Sequence, residues 1–421
     1  MARGAGRMAG VAVTAPSAGR LLVIGGGIAG LGAALACARA RPDVTVTLLE
    51  RAPAFAEVGA GIQLGPNAVR VLHDWGLAEP LAAVAAFPQR LCVRAARDGA
   101  VLGGLTLGER ARRRYGAPYA TIHRADLQGL LLDAVRELPA VALHTGAEIV
   151  THAEDPQGVS VTTADGRRWQ GDALLAADGV WSRTRERVLA DGRATFSGHV
   201  AYRGLLPMAD APVAVRQTPQ VVAWLGPRLH AVHYPVRGGA WLNVVVVVEG
   251  PLPPTGAEGW DHAAQVAQLR AALGPVHADF DAVVRAVPQW RLWPLYVREP
   301  MRGAYEHGRG RIALLGDAAH PTRPYLAQGA AMALEDAWTL GRLLQAQPDA
   351  PDWAGWLARW AESRWARNAR VQARSRRNGT IFHATGLLRW GRDAVMAWLG
   401  ERLLDQPWLY GGPPDPLATA R

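Results

Sequence analysis

The sequence predicts a mixed α/β fold, α+β overall, with an inserted β-rich region and a helical C-terminal region. A strand, a glycine-rich turn, a helix and a second strand follow one another between residues 21 and 50. Alternating and β-branched segments lie between residues 196 and 293, and helical patterns dominate beyond residue 330. The 421 residues, 49% hydrophobic, can bury a large core and form more than one domain.

The first strand ends in a G-x-G-x-x-G turn. An apolar strand at residues 21–24 leads into Gly25, Gly27 and Gly30, and a helix follows directly. A second strand ends in Glu50, 20 residues after Gly30. This order of strand, turn, helix, strand and acid indicates a Rossmann-like dinucleotide-binding unit.

Each glycine of this turn has a separate physical task. Gly25 allows the tight turn, Gly27 lets the backbone approach a pyrophosphate, and Gly30 lets the helix pack close to the sheet. The helix N-terminus offers free N–H groups to the phosphates. Glu50 can accept hydrogen bonds from ribose hydroxyls, and we place its neighbour Arg51 in the same site. The motif alone does not choose between FAD and NAD.

Two later blocks repeat the pattern of a buried strand that ends in a polar turn. One apolar strand leads into Asp178-Gly179, and another leads into Gly316-Asp317 and then Pro321. A helix at residues 330–344 follows the second block, and Gly329 stands at its start. Such a start directs N–H groups at an anionic group in front of it, which would suit a reduced flavin ring.

Together the three blocks resemble the dinucleotide-binding, Asp-Gly and Gly-Asp motifs of the flavoprotein aromatic hydroxylases, in particular the salicylate and 3-hydroxybenzoate hydroxylase branch. The resemblance extends from about Leu21 to about Tyr410. It implies that FAD is the cofactor and that NAD(P)H, with NADH favoured, is a co-substrate that visits without a Rossmann site of its own. Only one G-x-G-x-x-G is present, which agrees with this expectation.

The resemblance also assigns cofactor contacts. Asp317 matches the aspartate that holds the FAD ribityl chain, and Asp178 matches the one that serves both FAD and NAD(P)H. Arg124 matches an arginine that reaches FAD, and Pro321 a proline whose carbonyl faces the reactive C4a position. The segment 57–63 resembles the loop beside the flavin ring. The members of this loop that we place in the cofactor site are Gly61 and Gln63.

A predicted hairpin carries the candidate catalytic residues. Strands at residues 229–236 and 241–248 flank the turn Arg237-Gly238-Gly239-Ala240. Because side chains alternate along a strand, His230 and Tyr234 share one face and His233 points to the other. An imidazole and a phenol on one face can flank a planar substrate, although buried His and Tyr are also common as satisfied core groups.

Within the resembled family, a His and a Tyr four residues apart bind and activate the phenol, and these match His230 and Tyr234. Tyr325 matches a position that lines the substrate. Arg203 can meet a substrate carboxylate or form a structural ion pair. Arg323 stands where small or apolar residues are usual; it can narrow the pocket, bind an acidic group or point outward.

The resemblance and the pattern together predict five parts of the chain. These are a flexible N-terminal tail (1–20), an FAD-binding domain (21–74 and 116–195), a substrate domain (75–115 and 196–295), the Gly-Asp segment and helix (296–345), and a helical C-terminal region (346–421). We interpret the tail as a flexible extension rather than a signal peptide. We expect the tryptophans between Trp353 and Trp408 to pack in the core.

Composition excludes several other classes. The formal net charge is +10, but every basic residue among the 46 is arginine and most are scattered, so we expect no nucleic-acid partner. Two cysteines make neither a disulfide framework nor a zinc site, and we expect no bound metal. No apolar run approaches a membrane span. We therefore expect a cytoplasmic protein that is a monomer or a homodimer.

The resemblance implies an NAD(P)H- and O2-dependent monooxygenase that hydroxylates a phenolic or hydroxylated aromatic acid through a flavin C4a-hydroperoxide. The same chemistry on an N-heteroaromatic or polyketide substrate is an alternative, and so is a flavin oxidase or dehydrogenase on this frame. A flavin-dependent halogenase depends on an active-site lysine, and the chain has no lysine. A non-enzymatic basic binding protein would leave the three motifs unexplained.

Overall fold

The computed structural model describes residues 18–55, 60–252 and 262–418. The strands, in chain order, are β1 (Gly19–Ile24), β2 (Val44–Leu49), β3 (Gly61–Leu64), β4 (Arg90–Ala95), β5 (Val101–Thr106), β6 (Ala120–His123), β7 (Val141–His144), β8 (Ile149–Asp155), β9 (Gly158–Thr163), β10 (Arg168–Gly171), β11 (Ala173–Ala176), β12 (Thr195–Pro207), β13 (Val221–Gly226), β14 (Leu229–Val236), β15 (Trp241–Glu249), β16 (His262–Ala264), β17 (Trp290–Val297), β18 (Gly308–Arg309) and β19 (Ile312–Leu314).

The α-helices of the described residues are α1 (Ile28–Ala40), α2 (Pro66–Asp74), α3 (Ala78–Val84), α4 (Gly108–Tyr115), α5 (Arg124–Arg136), α6 (Arg183–Leu189), α7 (Val213–Gln217), α8 (Val266–Leu273), α9 (Ala278–Ala286), α10 (Gly329–Gln345), α11 (Trp353–Phe382), α12 (Gly386–Leu399), α13 (Glu401–Leu404) and α14 (Pro407–Tyr410). None of them is both long and apolar enough to cross a membrane.

A six-stranded sheet forms the nucleotide-binding half of the molecule. Its order is β18-β19-β11-β1-β2-β7, and every pair except β18–β19 is parallel. Helices α1, α5 and α10 pack on it through apolar side chains, and the apolar runs of its strands are buried on both faces, as parallel sheets require. The Rossmann-like fold is therefore confirmed.

An eight-stranded sheet forms the second half. Its order is β16-β17-β12-β15-β14-β13-β4-β5, and its pairs are antiparallel except for β13–β4. One face is covered by α8 and α9 over an apolar cluster. The other face carries alternate residues of β12, β14 and β15 toward the nucleotide-binding half, which places them at a cleft between the two sheets.

The predicted hairpin is confirmed, with His230 opposite Val247 and Tyr234 opposite Asn243. The predicted tail is wrong at its end, because residues 19 and 20 already belong to β1, where they pair with β2. Residues 1–17 of that tail lie outside the described residues. Strand β17 also continues to Val297, two residues past the expected limit of the substrate domain.

The tryptophan prediction holds only in part. Trp353, Trp356 and Trp360 on α11 are buried against α10 and the nucleotide-binding core. On α12, however, Trp390 is 66% and Trp398 84% exposed, so core packing was the wrong expectation for them. Helical spacing alone cannot say which helix of a C-terminal region has a partner for its apolar face.

Candidate active site

A cleft of about 1230 Å³, counted to its open mouth, lies between the two sheets. The starts of α1, α5 and α10 and the inner face of the eight-stranded sheet form its walls. Eight of the predicted site residues line it: Gly27, Gly61, Gln63, Arg124, His230, Tyr234, Asp317 and Gly329. The fold thus brings residues from five separate stretches of sequence to one cavity.

The glycine-rich turn sits at one end of the cleft and leaves no room for side chains. Gly25 has φ +99°, and a Cβ added there would lie 2.3 Å from the carbonyl oxygen of Ala177. A Cβ on Gly30 would lie 1.8 Å from the carbonyl oxygen of Gly25. Gly27 caps α1 in extended conformation and lines the cleft. The turn therefore forms a bare backbone cradle at a helix N-terminus, the geometry that suits a diphosphate.

Glu50 holds this turn from behind. One carboxylate oxygen accepts the N–H of Gly26 at 2.6 Å, and the other accepts the N–H of Ala52 at 2.7 Å. Gln128, which the sequence analysis did not single out, donates to the carbonyl oxygen of Gly26 at 2.9 Å from the buried side of α5. Arg51 is exposed and does not line the cleft.

The Asp-Gly block is fastened by its own aspartate. Asp178 accepts hydrogen bonds from Ser182 Oγ at 2.6 Å and from the N–H and hydroxyl of Thr184 at 3.1 and 3.0 Å, which fixes the start of α6. Arg185 on α6 then donates to the carbonyl oxygen of Ala318 at 3.2 Å. The Asp-Gly and Gly-Asp blocks are thereby joined. Asp178 itself is not among the cleft-lining residues, whereas its neighbour Gly179 is.

The Gly-Asp block places Asp317 with its side chain exposed to the cleft, in front of α10. Gly329 is the first residue of this 17-residue helix, so the free N–H groups of the helix face the cavity. The carbonyl oxygen of Pro321 accepts from Gln372 Nε2 of α11 at 3.3 Å, and Pro321 is buried. The turn after Asp317 is therefore braced by α11.

Behind this turn lies a buried cluster of ionisable side chains, which we call the α10–α11 ion cluster: Asp336, Glu335, Arg364, Arg367 and His320. Arg364 bonds Asp336 at 2.9 Å and Glu335 at 3.0 Å, and Arg367 bonds Glu335 at 2.7 Å. His320 Nε2 lies 2.6 Å from Asp336. The guanidinium and imidazole groups hold the pKa of both carboxyls below their usual range although burial opposes this.

Strand β3 forms the wall of the cleft beside the expected flavin ring. The first described residues of the predicted loop are Ala60 and Gly61, while residues 56–59 lie outside the described part of the chain. Arg124 begins α5, and its N–H donates to the carbonyl oxygen of Ala60 at 3.0 Å. The amide oxygen of Gln63 accepts from the Tyr119 hydroxyl at 2.7 Å.

Tyr234 is hydrogen-bonded to strand β3 in this same wall of the cleft. Its hydroxyl donates to the carbonyl oxygen of Gly61 at 2.7 Å, while the N–H of Gly61 donates to Asn243 Oδ1 at 2.6 Å. A Cβ on Gly61 would lie 2.7 Å from the Asn243 side chain and 2.8 Å from the Tyr234 ring. Burial raises the pKa of Tyr234 well above its usual value, so it remains a neutral donor. Tyr234 and Asn243 therefore clamp the backbone of Gly61.

His230 reaches the cleft from the opposite end of the same strand face. Its Nδ1 lies 2.8 Å from Nε2 of His383, at the C-terminal end of α11. The Tyr325 hydroxyl bonds Nδ1 of His199, and the His199 ring stacks on His383 with centroids 4.9 Å apart. Tyr325 itself does not line this cleft but a neighbouring apolar cavity, which shares His230 and Pro324 with it.

Sequence reasoning missed His199, His383 and Asn243. His199 and His383 lie 31 and 153 residues from His230, on β12 and at the end of α11, so no local spacing connects them. Burial lowers the pKa of His230 well below its usual value and lowers that of His383 to about 3. The imidazoles are therefore neutral at neutral pH.

Two arginines stand at this end of the cleft. Arg203 on β12 places its guanidinium 3.9 Å from the centre of the Trp293 ring, a cation–π contact. Arg323 donates to the carbonyl oxygen of Ser197 at 3.5 Å. Both line the cleft, which excludes the outward orientation of Arg323 that the sequence left open.

The fold and the cleft define a nucleotide-binding flavoprotein. The bare backbone cradle at Gly25 and Gly30, the helix starts of α1 and α10, and the exposed carboxylate of Asp317 fit the phosphates, ring and ribityl hydroxyls of FAD.

Comparison with known proteins shows the family. Residues 20–374 match the model of the FAD binding domain family, and the chain belongs to the FAD-dependent aromatic monooxygenases within it. It is 38% identical over 396 residues to 3-hydroxybenzoate 6-hydroxylase of Polaromonas naphthalenivorans, covering 93% of this chain and 95% of that protein.

Two solved structures have the same fold. A salicylate hydroxylase substrate complex has a TM-score of 0.80 at 26% identity and covers 96% of this chain and 98% of its own. HpxO of Klebsiella pneumoniae, solved with FAD and uric acid, has a TM-score of 0.80 at 25% identity, with 91% and 94% covered.

Proposed function

We propose that this protein hydroxylates a phenolic aromatic acid, with NAD(P)H and O2 as co-substrates and NADH as the preferred nicotinamide. The observation that carries the proposal is the position of a buried, neutral imidazole, His230, on the wall of the FAD cleft beside two arginines. The relatives named above include hydroxylases of 3-hydroxybenzoate and salicylate, each a ring with a hydroxyl and a carboxylate.

The substrate end of the cleft suits such a ring. Val232, Val245 and Val247 form an apolar wall between His230 and Arg203. The guanidinium groups of Arg203 and Arg323 offer paired donors to a carboxylate. A flat apolar ring on the valines would thus have its carboxylate held by arginine and its hydroxyl turned toward His230.

FAD would be held by the backbone of Gly25, Gly27 and Gly30 at its phosphates, by Asp317 at its ribityl chain, and by the start of α10 at its ring. When bound, FAD supplies the transfer of electrons from NAD(P)H and the activation of O2. Arg124 and Gln63 line the same stretch and would complete its surroundings.

The chain's own contribution is orientation, exclusion of water and proton transfer. His230 Nδ1 is engaged by His383, so Nε2 is the nitrogen left to accept the phenol proton. Removing that proton raises the electron density of the ring and favours attack by an electrophilic oxygen. The clamp of Tyr234 and Asn243 on Gly61 would hold the wall of the cleft against this ring.

His230→Ala tests the assignment of the base. We expect coupled hydroxylation to fall by about 100-fold or more, because general-base catalysis contributes on that order. Bound FAD, measured by its visible absorbance, should be retained because His230 lies on the eight-stranded sheet and is not part of the glycine turn. Product and H2O2 are quantified together during NADH oxidation.

His233→Gln is the matched control, since His233 is buried on the same strand but faces away from the cleft. Its coupled turnover should stay near that of the wild type. Unchanged turnover in His230→Ala would remove His230 from the mechanism. The wild type is also tested on a panel of 3-hydroxybenzoate, salicylate and 6-hydroxynicotinate. No oxygenated product from either of the two phenolic acids would contradict the phenolic-acid proposal.

An N-heteroaromatic substrate is the second candidate, because the HpxO structure contains uric acid. The same panel separates the two, since 6-hydroxynicotinate is the heteroaromatic member. We further propose that the protein is cytoplasmic. We also propose that it acts as a monomer or homodimer, and size-exclusion chromatography with light scattering tests this oligomeric state directly.

A further inference from the structure

Three side chains contact one another in series from the cleft to the surface. His230 is 7% exposed and lines the cleft, and its Nδ1 is 2.8 Å from His383 Nε2. Nδ1 of His383, which is 4% exposed, is 3.3 Å from Glu249 Oε1. The Glu249 side chain is 40% exposed. Each contact is within hydrogen-bonding distance, and both ring nitrogens of His383 are used.

The backbone holds this line in place. Arg228, in the turn between β13 and β14, donates its N–H to the carbonyl oxygen of His383 at 3.1 Å. The N–H of Glu249, the last residue of β15, donates to the carbonyl oxygen of Arg228 at 3.0 Å. The end of α11 is therefore tied to the sheet beside His383 and Glu249, so backbone hydrogen bonds as well as rotamers bring these two side chains together.

We propose that His230, His383 and Glu249 form a proton relay that connects the substrate hydroxyl in the cleft with solvent. The inference rests on the proposed function, because it is the phenol that supplies the proton. The relay is the path by which that proton leaves a buried site.

The steps balance. The substrate O–H bond breaks and a bond to His230 Nε2 forms, while the Nδ1 proton of His230 passes to His383 Nε2. The Nδ1 proton of His383 passes to the Glu249 carboxylate, which releases it to water. When the hydroxylated product takes a proton back, the same bonds re-form in reverse order, and both imidazoles return to their first tautomers.

The electrostatics favour a relay over a stored charge. Burial, followed by the neighbouring His199 and the positive charges of Arg323 and Arg392, lowers the pKa of His383 to about 3. The neighbouring rings of His199 and Tyr325 add no negative charge while neutral. An imidazolium is therefore disfavoured at neutral pH, so the neutral rings favour passing a proton on toward Glu249 over storing it. Arg228 Nε lies 3.9 Å from Glu249 Oε2, at the exposed end of this line.

A bound metal is the competing interpretation of the same residues. The ligand atoms of His199, Glu249 and His383 lie within 4.8 Å of one another. The guanidinium groups of Arg323, Arg392 and Arg228 surround this trio with only one carboxylate to offset them, which opposes a divalent cation.

The test measures proton release directly. The FAD-loaded enzyme is mixed with a hydroxylated acid of the panel, first 3-hydroxybenzoate, in weak buffer with a pH-indicator dye in a stopped-flow instrument. We expect His383→Gln and Glu249→Gln to slow release at least ~10-fold, since each removes one exchangeable link. The substrate Kd should change little. Glu109→Gln, an exposed carboxylate on α4 paired with Arg113, is the control and should release at the wild-type rate.

Chemical rescue separates a relay from a structural role. In His383→Ala, added imidazole should restore the rate of release, because a small base can occupy the vacated space. Proton release at the wild-type rate in both relay variants would overturn the proposal. Slow release in His383→Ala that imidazole does not restore would also overturn it. So would slow release from the wild type after EDTA treatment, because that would indicate a metal. A wild type that forms product without releasing a proton defeats the relay alone, whereas absence of any oxygenated product defeats the proposed function.

Discussion

Two buried polar clusters of this molecule are similarly hidden from water but are built on opposite principles. The α10–α11 ion cluster contains two carboxylates and two guanidiniums in direct contact. The histidine cluster of His199, His230 and His383 contains buried rings that are neutral at neutral pH, with a single half-exposed carboxylate at its edge. The first cluster keeps permanent charge, and the second avoids it.

The difference follows from what each cluster supports. Permanent ion pairs between α10 and α11 hold the start of α10 and the turn after Asp317 in one orientation, as a cofactor site requires. Neutral imidazoles can exchange a proton without moving, as a substrate site requires. A buried polar cluster therefore indicates a structural or a chemical requirement. Charged groups indicate that a site is held in place, and neutral imidazoles indicate that a proton can be exchanged.

Breaking the ion cluster should have the largest effect. Arg364→Met leaves Asp336 and Glu335 without their central partner, and removing one member of a buried ion pair costs about 3–5 kcal/mol. We expect a lower thermal midpoint of unfolding, measured by circular dichroism, and weaker FAD retention, measured by flavin fluorescence. The control is Arg376→Met. Arg376 is also on α11, but its ion pair with Glu299 is exposed, so its loss should change the free energy of unfolding by less than about 1 kcal/mol. Equal effects of the two variants would refute the distinction.

Acid should act on the histidine cluster first. The pKa of His199 is lowered to about 4 and that of His383 to about 3, below the usual 6.5, by burial and then by nearby positive charge. A lowered folded-state pKa means that stability is present above pH 6.5 and is lost as pH falls toward 4. We expect losses of about 2 kcal/mol for each histidine by pH 5, since about 1.4 kcal/mol is lost per pH unit below 6.5.

Thermal midpoints at pH 7 and pH 5 check this expectation. His383→Gln should lose less stability over this interval than the wild type, because one titrating group is gone. The carboxyls of the ion cluster do not titrate in this window, since their pKa values are lowered from 4.5 and 3.8. An identical pH dependence in the variant would show that His383 does not contribute.

The clamp on Gly61 should give the smallest effect. Tyr234→Phe leaves the carbonyl oxygen of Gly61 without its donor, which costs about 1 kcal/mol. Urea denaturation should register that loss, while turnover falls less than 10-fold. A drop of about 100-fold or more with unchanged stability would instead make the hydroxyl a direct participant in the reaction. Tyr202→Phe, on the opposite face of the sheet, is the control.

The parts of the fold predicted correctly are those in which neighbouring residues carry the whole signal. The turn at Gly25, the hairpin of β14 and β15, and α10 each follow from glycine spacing or from periods of 2 and 3.6 residues. Arg51, by contrast, was placed in the site because it neighbours Glu50, yet it is exposed and away from the cleft. Adjacency along the chain does not predict the direction of a side chain in a loop.

The sequence by itself determined the nucleotide-binding unit and the strand face shared by His230 and Tyr234, because these depend on short spacings and on backbone sterics. The choice of FAD came from the resemblance of three motifs to a known family. The tertiary structure alone decided what the polar atoms bond. Tyr234 meets Gly61 across 173 residues, His230 meets His383 across 153, and Asp336 meets Arg364 across two helices. Buried donors and acceptors must find partners wherever the fold brings them, and that pairing is a property of the packed chain rather than of any segment of it.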